Sequence, residues 1–593
     1  MQGYKYFTIQ AIIMNSRQYF LIISLILISI RAFGIEPSKK IPVMYITTEN
    51  NQPILDKENY IKGEYKVEPF GDTEIVAAEG TLQIRGRGNY TWDAFEKKPY
   101  RIKLDDKAPL LGFKKSKHFV LLAHADDNLG FMREPMGFKL SELAGMDWTP
   151  GQKPVELVIN GDYRGLYFLV ENIRIDKDRV NIFDQEEEEV SSDITGGWLC
   201  ELDNYEEDPS EQITIREGNG DLIRITHHSP EIINEDQKEF LRTQMEALDK
   251  AFYIKDINSK EYENLVDIKS LVNFYVLQEL MDGQESFHGS CYIHRDRGDD
   301  KKWIWGPVWD FGNTYLRAEG KLIYEDPDWG QTWIDQIVKF SSFQEKYKAR
   351  FSEFLENEYE EIKRYIREYS STLKEAAIAD AKRWPQYENK NITQRAEDIL
   401  DALKRRITFL SYKWNVENNI SGGIFLRGDF NNWSIDWNRE FNVPENGVYI
   451  FDGEDFSGRF KIADYGWGAH NWGAKIVNQE IPLDTPVEII NGPASKDMVS
   501  PGGFERAIFR IIEPGKKATI ELCSTKAGVK EIDSPSRAIE LQIEGRRLFT
   551  REGFFSVYNL NGVEICKSVN SIILQPGIYI VRTDGETYKI VIR

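Results

Sequence analysis

The sequence predicts a multidomain α+β chain, with one large mixed unit followed by two small all-β domains of β-sandwich type. Three observations point to it. The chain has 593 residues, room for several domains at about 150 residues each. Apolar and polar residues alternate through 41–204 and again beyond 424, the two-residue period of half-buried strands. Between about 233 and 415 the period lengthens to that of helices, with Leu265, Ile268, Val272, Val276 and Leu280 on one face.

The chain opens on an apolar run from Tyr19 to Ile30, preceded by Arg17 and followed by Ala32-Phe33-Gly34. At 12 residues the run is too short to span a bilayer comfortably. Its basic flank and small residues match a signal peptide over 1–34, cut after Gly34, with Met14 as an alternative start. An uncleaved N-terminal anchor is the other reading. Strands are expected at Ile41-Pro-Val-Met-Tyr-Ile, Thr81-Leu-Gln-Ile-Arg, Tyr100-Arg-Ile-Lys-Leu, Val155-Glu-Leu-Val-Ile and Gly165-Leu-Tyr-Phe-Leu-Val-Glu. Asn160-Gly161 joins the last two as a tight hairpin. One helix, near Met132 to Ala144, interrupts them. The acidic run at 186–189 reads as a solvated loop. Inside the helical half, Cys291-Tyr-Ile-His and Trp303-Ile-Trp form a hairpin that runs into Pro307-Val-Trp-Asp-Phe-Gly. A linker at Asn418 to Gly423 precedes the β-rich remainder. The expected boundaries are 35–417 for the mixed unit, 418–530 for the first β domain and 536–593 for the last.

Composition excludes several functions. Acidic residues outnumber basic ones by 96 to 75, a formal charge of −21, and no basic block offsets it. Nucleic-acid binding is therefore not expected. The cysteines, Cys200, Cys291, Cys523 and Cys566, form no CxxC pair and no disulfide framework. His227 and His228 are adjacent on a strand and point to opposite faces, a poor metal pair. There is no GxSxG elbow, so triad hydrolysis has no support. No later stretch approaches 18 apolar residues, so the mature chain is expected to lack a transmembrane span.

The chemistry gathers around Trp309-Asp310-Phe311-Gly312. A carboxylate at a strand end is well placed to hold Mg²⁺ against phosphate oxygens. Alone, the tripeptide Asp310-Phe311-Gly312 reads more readily as a polar, strand-terminating turn. Upstream, however, a helix ends at Leu280, a loop follows with Asp282, Glu285, His288 and Ser290, and then the hairpin. Kinase-like folds use this order of helix, catalytic loop, hairpin and metal carboxylate. Glu285 and Ser290 have the spacing of an acidic base and a second metal ligand.

Four segments then stand in one order: Ile84-Arg-Gly-Arg-Gly-Asn-Tyr-Thr-Trp, Lys97-Lys-Pro-Tyr-Arg-Ile-Lys-Leu-Asp, Gly161-Asp-Tyr-Arg-Gly-Leu-Tyr-Phe-Leu-Val-Glu and Gly306-Pro-Val-Trp-Asp-Phe-Gly. In that order they resemble the spore-coat protein H (CotH) kinase family, over roughly residues 41–414. The resemblance implies an atypical protein-kinase-like domain that binds ATP and Mg²⁺ and phosphorylates a protein acceptor. Asp310 matches the family's metal-binding aspartate. Glu285 falls where the catalytic aspartate belongs, and Ser290 where many members have a metal-ligating asparagine. Lys103 is the candidate phosphate-contacting lysine, Arg87 a candidate phosphate ligand in a basic glycine loop, and Arg133 resembles a recurrent family arginine. Each has a plainer reading. Lys103 can be an outward strand lysine, Arg85 and Arg87 partners of surface carboxylates, and His288 structural. Asp126-Asp127-Asn128 has incomplete cation spacing and reads as a turn. Glu for Asp adds a methylene, and a misplacement of about 1 Å can cost on the order of a hundredfold in rate. Ser for Asn shortens a metal ligand. These departures leave open a catalytically weak or inactive surface scaffold.

Phe425-Leu-Arg-Gly-Asp-Phe-Asn-Asn-Trp resembles the opening of starch- and glycogen-type carbohydrate-binding modules. Flat aromatic rings stack on the apolar faces of sugars. Trp467, Trp472 and Trp437 are the candidate glycan contacts, and Trp433 is expected in the core. The last 55 or so residues, with Phe555-Ser-Val-Tyr, Leu574-Gln-Pro-Gly-Ile-Tyr-Ile-Val-Arg and Lys589-Ile-Val-Ile-Arg593, resemble the sorting domain of type IX (Por) secretion substrates. An ordinary terminal β-domain is the alternative. The resemblance implies export to the outside or outer surface of a Gram-negative cell, with the type IX machinery as a partner. Under the scaffold reading, the partner is a surface polysaccharide.

Overall fold

The computed structural model describes residues 35–592 except 73, 188–192, 206–209, 316–319, 326–329, 388–390, 417, 419, 421–422, 446, 525–540, 545–546, 551–554, 560–563, 570, 575–576 and 583–586. The expected leader at 1–34 and part of the acidic run lie outside the described residues.

The first strands close into a barrel. They are β1 (Val43–Thr48), β2 (Ile61–Glu68), β3 (Ala78–Gly86), β4 (Tyr100–Ala108), β5 (Ser116–Leu122), β6 (Gln152–Ile159) and β7 (Asp162–Glu171), in the order β1-β2-β3-β4-β5-β7-β6. Parallel pairing of β1 with β6 completes the circle. The alternation read from sequence sets which face is inside. Tyr100, Ile102 and Leu104 of β4 are buried, while Arg101 and Lys103 point outward. Each fully buried side chain of this size contributes roughly 1.5–3 kcal/mol. The β6–β7 hairpin turns on Asn160 and Gly161, both left-handed at φ 53° and 77°, the conformation that matches the twist of paired strands.

Two helices, α1 (Tyr90–Ala94) and α2 (Arg133–Leu143), lie between barrel strands; the longer helices beyond the barrel are α3 (Glu235–Phe252), α4 (Ile268–Met281), α5 (Ser341–Asn357), α6 (Tyr359–Arg383) and α7 (Ile392–Trp414). Helix α4 is buried continuously from Ser270 to Met281, as expected of a helix apolar on every face, and it is the spine of the helical half. A second sheet, β8 (Trp198–Leu202), β9 (Gln212–Arg216), β10 (Leu222–Ser229), β11 (Cys291–Arg295) and β12 (Ile304–Trp305), runs β12-β11-β8-β10-β9. Helix α6 ties the helical half to the barrel. Its Asp380 accepts the Leu166 amide of β7 at 2.8 Å and pairs with Lys97 at 2.9 Å. Trp384 donates to the Arg164 carbonyl at 2.7 Å.

Beyond the linker, strands β13 (Ile424–Gly428), β14 (Asn442–Glu445), β15 (Val448–Phe451), β16 (Ser457–Asp464), β17 (Asn471–Gly473), β18 (Gln479–Glu480), β19 (Val487–Asn491), β20 (Met498–Pro501), β21 (Arg506–Glu513) and β22 (Lys517–Cys523) form one ten-stranded sheet. β17 pairs with both β16 and β19, so the halves are continuous and close over a common core of Leu426, Phe460, Trp472, Phe509 and Ile520. This unit rests on α7 through the Lys404–Glu440 ion pair at 2.9 Å and the Tyr465 ring against Phe409 and Tyr412. The last residues form a three-stranded sheet, β23 (Leu541–Glu544), β24 (Arg547–Thr550) and β27 (Ser571–Ile573), and a four-stranded one, β25 (Phe555–Asn559), β26 (Glu564–Val569), β28 (Gly577–Arg582) and β29 (Thr587–Ile592). No helix among the described residues is long and apolar enough to cross a membrane.

Candidate active site

A cleft of about 1150 Å³ opens between the outer face of β3–β5 with the start of α2 and the second sheet with its loops. Asp310, Glu285, Ser290, Arg87 and Arg133 all line it. Lys103 does not. It sits two residues beyond Arg101 on the same outward face of β4, exposed, while Arg101 reaches the cleft. The expectation that Lys103 meets phosphate is therefore corrected. The two-residue period identified its face, but not how far along the strand the cleft extends.

The Asp310 turn is held from beneath. Phe311 is fully buried against α2, and a Cβ on Gly137 of that helix would come within 2.3 Å of the Phe311 ring. Only glycine lets the turn approach so closely. The Phe311 amide donates to Glu134 at 3.3 Å, and Asp310 itself is left-handed at φ 59°. This packing brings in Asp126, which the sequence alone assigns to a turn. A Cβ placed on Gly312 would lie 3.0 Å from Asp126 Oδ2 and 3.2 Å from Asp310 Oδ1. The two carboxylates thus converge on one point. From sequence, Asp126 reads as part of a turn with incomplete cation spacing, and no spacing in the chain relates it to Asp310.

Electrostatics follow from this convergence. Burial, with Asp310 and Asp127 nearby, pushes the Asp126 carboxyl up to about 6. Asp310 is raised by burial and by Glu201, against the pull of the Gly312 amide and Arg87. Its carboxylate meets solvent inside the cleft while protein walls surround it. Glu134 is raised well above the usual carboxylate range by burial and by Asp310.

Glu285 lies in the loop after α4, whose last turn is closed by Asp282 in the left-handed region. Tyr205 donates to its Oε1 at 2.8 Å and Asn313 to its Oε2 at 2.5 Å. Burial and Asp310 raise its pKa. The Ser290 amide donates to Glu201 Oε1 at 2.8 Å, and His228 holds Glu201 Oε2 at 2.7 Å. Burial opposes charge on His228, but the hydrogen bond to Glu201 together with the charges of Glu201, Asp203 and Glu211 outweighs it and the pKa rises. His227 instead faces the Ser210 and Pro230 carbonyls, so the two histidines diverge as expected.

The opposite wall is basic. Arg87 lies 5.8 Å from the Trp309 ring and within electrostatic reach of Asp310. Arg133, almost fully buried, pairs with Asp127 at 3.5 Å and donates to Asn128 at 2.9 Å. Lys97 is committed to Asp380. His118 and His124 are lowered to about 3 by burial and by neighbouring arginines and lysines, so both are neutral near pH 7 and add no charge. Arg87 and Arg101 thus reach the cleft from the barrel and Arg133 from α2, while Glu201, Glu285 and Asp310 reach it from the second sheet and its loops.

In the β unit, Trp472 is fully buried and donates to His470, which corrects its assignment as a glycan contact. Its place in β17 puts it in the core. Trp437 is half-buried, edge-on to Phe425 and beneath Arg405 of α7. Trp467 remains at the surface, and Trp433, expected in the core, lies beside it with ring centroids 6.2 Å apart.

A search of curated proteins finds no match. The family model for the CotH kinase protein matches residues 84–410, more than half of the chain and including every cleft residue discussed. The chain belongs to the CotH kinase family.

Proposed function

We propose that the cleft binds ATP with Mg²⁺ and that the chain transfers the γ-phosphoryl group to a protein acceptor outside the cell. The observation behind this reading is the meeting of Asp126 and Asp310 at Gly312, opposite Arg87 and Arg101. Among the described residues no group of three or more His, Cys, Asp or Glu is arranged to hold a metal alone. Two convergent carboxylates fit Mg²⁺, which takes one or two from the protein and fills its other positions with phosphate oxygens and water. Asp310 and Asp126 would hold it, with Ser290 on the same cleft. When bound, the cation neutralises charge on the phosphates.

The chain's own residues do the rest. Arg87 and Arg101 orient the polyphosphate from the barrel side, as donors that match its oxygens. Glu285 takes the proton of the acceptor hydroxyl. Its orientation is set by Tyr205 and Asn313, and its raised pKa improves it as a base. The departure from aspartate is then matched by partners at the longer reach. The leader-like start and the sorting-like C-terminus support export through the type IX system to the surface of a Gram-negative cell.

A second reading is a non-catalytic surface scaffold that binds polysaccharide. The half-buried Trp433–Trp467 pair, with Arg427 4.2 Å from the Trp467 ring, supports a glycan platform. The glycan platform is compatible with either an active or an inactive cleft; phosphoryl transfer separates the two readings. Incubation of the full chain with γ-labelled ATP and Mg²⁺, with candidate surface proteins, tests the first. Label must move to protein, and Asp310→Ala must abolish it. Transfer undiminished in Asp310→Ala overturns the assignment.

A further inference from the structure

We propose that Tyr205 is a modification site, phosphorylated on its phenolic oxygen by its own chain. This rests on the reading of the cleft as an ATP–Mg²⁺ site, and it names one acceptor.

A hydroxyl already sits at the base. Among the described residues, Tyr205 alone offers Glu285 a hydroxyl, its Oη donating to Oε1 at 2.8 Å, while Asn313 supplies an amide to the other oxygen. A general base must lie within about 2.6–3.2 Å of the atom whose proton it takes. The loops are built around this pair. A Cβ on Gly289 would lie 2.9 Å from Tyr205 Cε2 and 3.0 Å from Glu285 Oε1, so the two side chains fill the space that another residue there would need. His288 meets the Tyr205 ring edge-on, with centroids 5.2 Å apart, and its own Nδ1 is 2.9 Å from the Gly330 carbonyl. The Tyr205 carbonyl accepts Gln212 at 2.9 Å, and its amide donates to Asp203 at 3.2 Å. Ring and backbone are thus both held, and the residue is still 43% exposed where it lines the cleft. Asp310 acts electrostatically on both Tyr205 and Glu285, so the three share one end of the cleft.

Burial, then Glu285, Asp203 and Asp310, push the phenol up. The oxygen therefore stays protonated near neutral pH and needs a base to react. In the step, Tyr205 Oη attacks the γ-phosphorus of ATP. The Oη–phosphorus bond forms, the bond from that phosphorus to the β,γ-bridging oxygen breaks, ADP leaves, and the phenolic proton passes to Glu285. The product carries a charge of about −1.5 to −2 at pH 7, beside Asp203, Glu285 and Asp310. Repulsion separates it from Glu285, which loses a donor that orients it. The modification is therefore self-limiting and lowers transfer to other acceptors.

Incubation of the full chain with ATP and Mg²⁺, followed by digestion and tandem mass spectrometry, tests this. Phosphate should appear on Tyr205 of the wild type, at a rate per chain unchanged by dilution, because donor site and acceptor share one chain. Glu285→Gln keeps an oxygen for the Tyr205 hydroxyl but removes the base, and should slow the reaction by roughly a hundredfold. Asp310→Ala should abolish it. Phosphate on an added protein acceptor with none on Tyr205, a rate that rises with chain concentration, or an undiminished rate in Glu285→Gln overturns the proposal and leaves the cleft as an ATP site. Transfer to neither overturns both.

Discussion

Replacing Asp380 by asparagine strands a buried ammonium. Lys97 and Asp380 are 2.9 Å apart, with side chains 1% and 3% exposed. The other neighbours of Lys97 Nζ are the Phe131 and Tyr167 rings, at 5.0 and 5.1 Å, which cannot replace a carboxylate. Asparagine keeps an acceptor for the Leu166 amide, so the change isolates the charge. Removing one partner of a buried pair costs about 3–5 kcal/mol. With an m-value of about 3 kcal/mol per M in urea, the unfolding midpoint should fall by roughly 1–1.7 M. Tryptophan fluorescence of the full chain in urea measures this. The sign with pH is also set. Burial already lowers Lys97, and Asp380 opposes that. Without the carboxylate the folded-state pKa drops further below its unfolded value. The unfolded chain then binds more protons, and the deficit should shrink as pH rises toward 10 or so. The double variant Lys97→Met/Asp380→Leu should regain most of the loss. A single-variant loss under about 1 kcal/mol, or a double variant no better than the single, refutes the reasoning.

Three further outcomes are expected. Asp126 has a folded-state pKa of about 6 against an ordinary 3.8, so its ionisation burdens the fold above pH 6 and not below 4; Asp126→Asn should stabilise the chain by up to about 3 kcal/mol at pH 8, with the gain vanishing near pH 4 in denaturant titrations. Trp472→Ala should cost about 3–5 kcal/mol in thermal or urea unfolding, whereas Trp467→Ala and Trp433→Ala should leave stability nearly unchanged and reduce retention on polysaccharide in affinity electrophoresis. Glu285→Asp, although closer to the family pattern, should lower phosphoryl transfer at least about tenfold, because it withdraws the carboxylate from Tyr205 and Asn313.

Much of this was legible in the residues, and the gaps have physical causes. Alternation along β4 and the Asn160-Gly161 turn set the barrel strands and their inner faces. The helix at Arg133–Leu143 and the β11–β12 hairpin fell where expected. Local spacing placed Glu285, Ser290 and Asp310 on one cleft. It could not place Lys103, because a strand's period gives a side and not a distance from the site. It misassigned Trp472, which stands beside a glycine-rich turn and reads as a surface ring, and Trp433, which it expected in the core. Which ring is covered depends on strand pairing across the sheet. Asp126 was assigned to a turn for a similar reason. Its meeting with Asp310 rests on the packing of Phe311 against Gly137, a contact between residues far apart in the chain.

Calorimetric titration of ATP into the full chain, with and without Mg²⁺, tests the central claim most directly. Wild type should bind ATP in a Mg²⁺-dependent manner, and both Asp310→Ala and Asp126→Asn should lose the Mg²⁺ dependence. Absence of binding at millimolar ATP, or binding indifferent to Mg²⁺ and to both carboxylates, would contradict the account.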